Sequence, residues 1–161
     1  MLAHFQYVSS VRLLAYKSIV LPTLDYASII WDPFTQTNMN KLGKVQKRAA
    51  RYIYNNYRRT SVTHILIQAG LPTITERNRC ARLKFLYQLI KGHYRSELTD
   101  LLVFSSRYAT RQRHQLTLSP FRVRNNCFKY SFLPRTISDW NNLTNNEVLQ
   151  SSLTLFSQHI T

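Results

Sequence analysis

The sequence predicts a mainly α-helical protein: a small helical bundle followed by a basic loop or short-hairpin region and short C-terminal helices. Three observations lead there. Before Val103, apolar residues recur at steps of three and four in several segments. Cap and stop residues bracket those segments. After Val103 the helical period lapses, and Arg, Ser, Thr and Asn dominate.

Val8 to Val20 reads as the first helix, with Val8, Val11, Ala15 and Ile19 on the inner face and Leu14 beside them. Pro22 ends or kinks it. Thr23 is placed to cap a short helix through Trp31, which Asp32-Pro33 closes, because the residue before proline disfavours the helical region. The clearest helix follows, capped by Thr37 or Asn38 and ending near Asn55-Asn56. Met39, Leu42, Val45, Ala49 and Ile53 form its apolar stripe, and Lys41, Lys44, Lys47, Arg48 and Arg51 occupy the remaining surface.

Ser61 caps a short helix that Gly70 stops. Thr73 and Glu76 fit a capping box for a helix running to about Lys91, where Gly92 is the natural stop. Ile74, Leu83, Leu86 and Ile90 make its core face, with Arg77, Arg79, Arg82 and Lys84 around them. A short turn follows at 96–102. Residues 116–118 and 127–132 read either as short strands or as parts of a basic loop. Pro134 opens one more helical turn through Trp140, and Leu153, Phe156 and Ile160 form the inner face of a terminal helix. The plausible domain boundary lies at 103–107, giving residues 1–103 and 104–161.

The 161 residues carry 22 Lys and Arg against 7 Asp and Glu, a formal charge of +15. Residues 1–40 are neutral overall, and 136–161 hold only Asp139 and Glu147. The stretch 41–135 concentrates 20 basic residues against Glu76, Glu97 and Asp100. A block this one-sided repels itself unless an anion compensates, and nucleic acid is the simplest such partner. The helix after Pro33 sharpens this, because its five cations have no acid at four-residue spacing.

Several classes are excluded. No apolar run is long enough to span a membrane. Met1 to Gln6 lacks the pattern of a signal peptide, which points to an intracellular protein, nuclear or cytoplasmic. Cys80 and Cys127 do not make a disulfide scaffold and suit a reducing compartment. Three glycines leave no phosphate-cradling loop. Asp25 and Asp32 are too few for a two-metal site, and His64, His93 and His114 are too scattered for zinc, so surface histidines are expected. No cofactor, metal, small-molecule substrate or catalytic set is expected. Tyr26, Trp31 and Trp140 are expected in the core.

Four strings, in order, resemble a known family: Tyr16–Ser28 with Trp31-Asp32-Pro33; Leu42–Arg51; Gly70–Arg79; and Ser131–Thr136 with Trp140–Leu143. Together they look like the region after the polymerase palm of non-LTR (LINE-type, jockey-like) retrotransposon reverse transcriptases of animals. The resemblance implies that 1–103 is a helical thumb-like domain and 104–161 a basic C-terminal extension. That family's catalytic carboxylates lie upstream, and their aromatic-Ala-Asp-Asp signature is absent here. The chain is therefore expected to be a fragment of an RNA-directed DNA polymerase without polymerase activity of its own.

A thumb holds the template–primer duplex by its backbone, which calls for Lys and Arg on helix faces. The expected partners are RNA–DNA hybrid, RNA or DNA and, in a full-length element, the palm. Lys41, Lys44, Lys47, Arg48 and Arg51 are the first candidates for phosphate contacts, and Arg77, Arg79 and Arg82 the second. Gln46 is a lesser candidate. Arg111, Arg113, Arg122 and Arg124 could grip single-stranded RNA, with Tyr108 or Phe121 stacking. The alternatives are an inert truncated remnant and a domesticated basic adaptor without specific nucleic-acid binding.

Overall fold

Proline at position 22 removes a backbone donor and crowds the preceding turn, and the first helix absorbs this by widening rather than by ending. In the computed structural model, which describes residues 2–57, 61–94, 97–105 and 114–160, α1 (Leu2–Ala15) runs into a π-helical turn (Tyr16–Val20) and then into α2 (Leu21–Asp25). The Leu21 N–H donates to the Tyr16 carbonyl five residues back, the bond that defines the widened turn. Thr23 is not a cap: it sits inside α2 and donates its hydroxyl to the Ile19 carbonyl at 2.9 Å. Ala27 adopts a left-handed conformation before α3 (Ser28–Trp31). Then come α4 (Gln36–Ile53), α5 (Val62–Gln68) and α6 (Ile74–Ile90).

Glycine fixes two of these helix ends. Gly70 and Gly92 take φ of +59° and +74°, the left-handed region open to a residue without Cβ. At each, two successive amides fold back onto the carbonyls of the last turn: Gly70 to Ile67 and Leu71 to Leu66, then Gly92 to Leu89 and His93 to Gln88.

The chain divides into two compact units, Met1–Asn78 and Arg79–Thr161, with the boundary inside α6. In the first unit, Tyr16, Ala50, Ile53, Ile65, Leu66, Ala69 and Leu71 form the core, with Leu13 and Leu21 packed against it. The expected inner face of α1 is not the buried one. Val11, Leu14 and Ile19 are exposed, while Ser9 and Tyr16 are buried. Within α1 the inward line runs through Ser9, Leu13 and Tyr16 at ordinary steps of four and three, so the helical period holds but on another face, and the widened turn begins only at Tyr16. Tyr26 and Trp31 are likewise exposed rather than in the core.

The second unit holds most of α6 with α7 (Glu97–Asp100), α8 (Asn126–Lys129), α9 (Phe132–Asn141), α10 (Asn145–Val148) and α11 (Leu153–Ile160). Leu83, Leu86, Tyr87, Leu118, Ile137, Trp140, Val148 and Phe156 form its core. Trp140 is buried as expected and donates its indole N–H to the Leu116 carbonyl at 2.8 Å. Tyr87 stacks on Phe156 at 4.5 Å and donates its hydroxyl to the Gln150 carbonyl at 2.6 Å. Phe156 and Ile160 face inward on α11 as the spacing predicts.

No strand forms among the described residues. Leu118 makes a single antiparallel bridge with Phe104, and the Asn141 side chain bonds both to the Leu118 N–H (2.9 Å) and to its carbonyl (2.8 Å). Residues 127–132 turn helical instead of extended. Asn125 caps α8 by accepting from the Phe128 N–H at 2.8 Å, and Ser131 starts α9 with Pro134 in its first turn. The sequence boundary at 103–107 falls inside the second unit, because Ser105 and Ser119 bond to Thr117 and Val103 and Leu102 packs on the same core.

Candidate nucleic-acid interface

Helix α4 separates its residues by chemistry around its circumference. Gln46, Ala50 and Ile53 are buried, with Met39, Leu42 and Ala49 half-buried at their flanks. Four of the five expected stripe residues thus face inward, but Val45 is 43 % exposed and Gln46, at 2 %, takes its place. Gln46 is therefore not a surface residue. Its side-chain amide donates to the Pro72 carbonyl at 2.8 Å and ties α4 to the start of α6.

Away from that line, Lys41, Lys44, Lys47 and Arg48 are all exposed. At 100° per residue, they and Arg51 span roughly a third of the helix circumference. Arg51 is half-buried and donates to the Tyr57 carbonyl at 3.4 Å. Among the described residues the four exposed cations make no ion pair. The carboxylates nearest in sequence are engaged elsewhere. Asp32 accepts from the Asn78 side chain at 2.8 Å, and Glu76 accepts from the Thr73 amide and hydroxyl at 2.9 and 2.8 Å. Arg12 approaches the far end of α4, lying 4.5 Å over the Tyr52 ring and donating to the Tyr52 carbonyl at 3.1 Å. That contact joins residues 40 apart, and nothing in the local sequence signals it.

The second group of candidates does not share this exposure. The Arg77 guanidinium donates through Nη2 and Nε to one oxygen of Asp25, at 2.7 and 3.2 Å, with its side chain 14 % exposed. Tyr16 lies against the same pair. Burial raises the pKa of its hydroxyl, and the Arg77 charge opposes that rise. Arg82 is 2 % exposed and pairs with Asp139 at 2.8 Å. Burial lowers the pKa of its guanidinium, and the Asp139 bond works the other way. Arg79 is half-buried. Arg77 and Arg82 therefore hold the fold together rather than face a ligand, and Asp25 and Asp32 answer α6 rather than a metal.

Of the single-strand candidates, Tyr108, Arg111 and Arg113 lie outside the described residues. Arg122 and Arg124 are exposed, whereas Phe121 is half-buried against the second core. His64 and His93 are exposed as expected, but His114 is buried and its Nε2 donates to the Trp140 carbonyl at 2.9 Å. Cys80 and Cys127 are not joined in a disulfide, and the Cys80 thiol donates to the Ile160 carbonyl at 3.3 Å.

Among the described residues no group of His, Cys, Asp and Glu could hold a metal, and no helix is long and apolar enough to cross a membrane. A cleft of about 230 Å³ beside α4 is lined by Gln36, Asn40, Gly43, Lys47, Thr73 and Thr75, with Met39, Leu66 and Ile74 at its apolar parts. Its lining carries amides, hydroxyls and one ammonium. Comparison of the chain with protein-family models, with curated proteins and with solved structures finds no match in any of the three.

Proposed function

We propose that the protein binds a nucleic-acid duplex through its phosphates, with α4 as the gripping helix, in the manner of the thumb of a non-LTR retrotransposon reverse transcriptase. The observation that carries this reading is the exposed cationic face of α4: four side chains, without an acid partner among the described residues, set apart from the helix's buried line. Lys and Arg at three- and four-residue steps suit successive phosphates and read no base edge. The second support is the resemblance of the four strings to the post-palm region of that family. A third is the apolar surface of α1 to α3, where Leu14, Ile19, Tyr26 and Ile30 are all more than two-thirds exposed. A thumb keeps such surface against the palm that precedes it. The catalytic carboxylates of that polymerase belong to the palm, so the role of these residues is holding the template–primer, not bond formation.

The test is binding of the purified chain to an RNA–DNA hybrid, to duplex DNA and to single-stranded RNA across a salt series. Phosphate contacts make log affinity fall linearly with log salt. Replacing Lys44, Lys47, Arg48 and Arg51 by Ala is expected to weaken hybrid binding and to flatten the slope by roughly one for each phosphate no longer neutralised. A variant that keeps its helical signal and its melting transition yet binds hybrid with the original slope would overturn the assignment.

A further inference from the structure

We infer a second nucleic-acid site, formed by residues 121–130, that takes a single strand by stacking an unpaired base on Phe128. It lies beyond the duplex reading. It shares with that reading only the premise that the partner is nucleic acid.

Pro120 to Arg124 runs without helix or strand, and Asn125 then caps the short helix α8. Phe121 turns inward, half-buried, and packs on the core that contains Leu83 and Trp140. Its ring meets Phe128 edge-on, with centroids 5.8 Å apart and planes at 75°. An edge-to-face contact of this kind restrains the second ring without burying it. Phe128 is 42 % exposed accordingly. It is therefore an anchored aromatic surface, and Phe121 serves as its support.

The surroundings supply charge of one sign. Arg122, Arg124 and Lys129 are all exposed within the same ten residues. Lys129 Nζ lies 5.4 Å over the ring of Tyr130, a second partly exposed aromatic. No Asp or Glu occurs between Asp100 and Asp139, and Asp139 is already bonded to Arg82 at 2.8 Å. Arg135, half-buried, also feels Asp139, and burial lowers its pKa. The next carboxylate along the chain is thus engaged with Arg82, and among the described residues no ion pair of Arg122, Arg124 or Lys129 is found.

Exposed aromatics interleaved with cations are what an unpaired strand requires: phosphates meet the cations and a base covers the ring. A duplex cannot use such a surface, because its bases are already stacked on one another. A protein partner would gain from the aromatics but would need a concentration of acid to match the cations, and a lipid surface would use the cations without needing a fixed ring face. The strand chemistry uses both features at once. It is sequence-tolerant, since every base presents a π-face.

The experiment uses the full chain with a labelled uridine oligonucleotide of about twelve nucleotides, a length matched to common single-strand site sizes. The same RNA–DNA hybrid serves as the parallel ligand. Phe128→Leu keeps apolar bulk but removes the π-face, and Phe128→Trp restores and enlarges it. Stacking predicts that Phe128→Leu weakens oligonucleotide binding roughly tenfold, that Phe128→Trp binds at least as well as the original, and that hybrid affinity stays within about twofold for both. The α4 alanine variant is expected to do the reverse, losing hybrid while keeping the oligonucleotide.

Oligonucleotide binding that is unchanged in a folded Phe128→Leu protein overturns the site and leaves the duplex reading standing. Loss of oligonucleotide binding only in the α4 variant also overturns it and moves the single strand to α4. If anionic phosphatidylserine vesicles bind and the oligonucleotide does not, the patch is a membrane surface and the inference fails. Hybrid binding that fails while the oligonucleotide still binds through Phe128 supports the site and overturns the α4 assignment alone.

Discussion

Arg82 is a cation that belongs to the fold. It lies 2 % exposed on α6 and bonds to Asp139 across 57 residues of sequence. Truncating it to Ala takes from the Asp139 carboxylate its buried bonded partner and leaves Arg135 as the remaining nearby cation, and removal of one partner from a buried pair is strongly destabilising. The expected loss is about 3 kcal/mol, at the lower end for such pairs because Asp139 is 28 % exposed. Urea unfolding measures it, and hybrid binding by the still-folded fraction is expected to keep its salt slope. A substitution that lowered the slope without lowering stability would return Arg82 to the binding face. The sequence could not reveal this role. Arg82 falls beside the core-facing spacing of α6, and its partner is separated from it by most of the second unit. Exposure of Lys41, Lys44, Lys47 and Arg48, by contrast, was legible, because a long helix with a single apolar line must present its charges on the other side.

At the scale of the element, the Thr73–Glu76 box at α6 and the stops at Gly70 and Gly92 form as the sequence predicts. Other expected caps do not: Thr23 lies inside α2, α4 begins after Thr35 with Thr37 and Asn38 within its first turn, and Ser61 makes no capping bond to α5. The apolar faces of α1 and α4 were less readable. On α1 the inward line runs through Ser9, Leu13 and Tyr16 instead, and on α4 only Val45 gives way, to Gln46, a polar residue buried because its amide reaches the Pro72 carbonyl. Residues 127–132, which read as a short strand or as part of a basic loop, instead hold most of α8 and the start of α9, with Asn125 capping α8.

The α6 cap also has a pH signature. The bonds from Thr73 hold the Glu76 carboxyl below its ordinary pKa of about 4.3. A folded-state pKa that is depressed contributes stability in full above that ordinary value, and the contribution is lost as pH falls through the depressed one. The original protein is therefore expected to lose more stability than Glu76→Gln between about pH 5 and pH 3, by less than about 1 kcal/mol because the carboxylate is solvent-exposed. Urea midpoints at several pH values test this, and parallel acid profiles for the two proteins would refute it.

For the whole molecule, the dominant quantity is the formal charge of +15, most of it between residues 41 and 135. Like charges held together oppose compaction, and added salt screens them. The thermal midpoint is therefore expected to rise by a few degrees between about 20 mM and about 300 mM NaCl. At the lower salt, a polyanion should raise it further by binding the native state. A midpoint that falls with salt would mean that internal ion pairs such as Arg77–Asp25 outweigh the repulsion. The mainly helical class was visible in the sequence at this scale, but the division at Asn78 was not. A boundary inside a continuous helix leaves no proline, glycine or change of composition to mark it.

The short pairing of Phe104 with Leu118 is the nearest the described residues come to a sheet, and a ladder of that kind ordinarily offers a second edge. Here the outward N–H and carbonyl of Leu118 are both taken by the amide of Asn141. One side chain thus imitates a neighbouring strand and closes the edge. With both groups bonded within the chain, the bridge leaves no unpaired N–H or carbonyl at Leu118 for another strand to pair with.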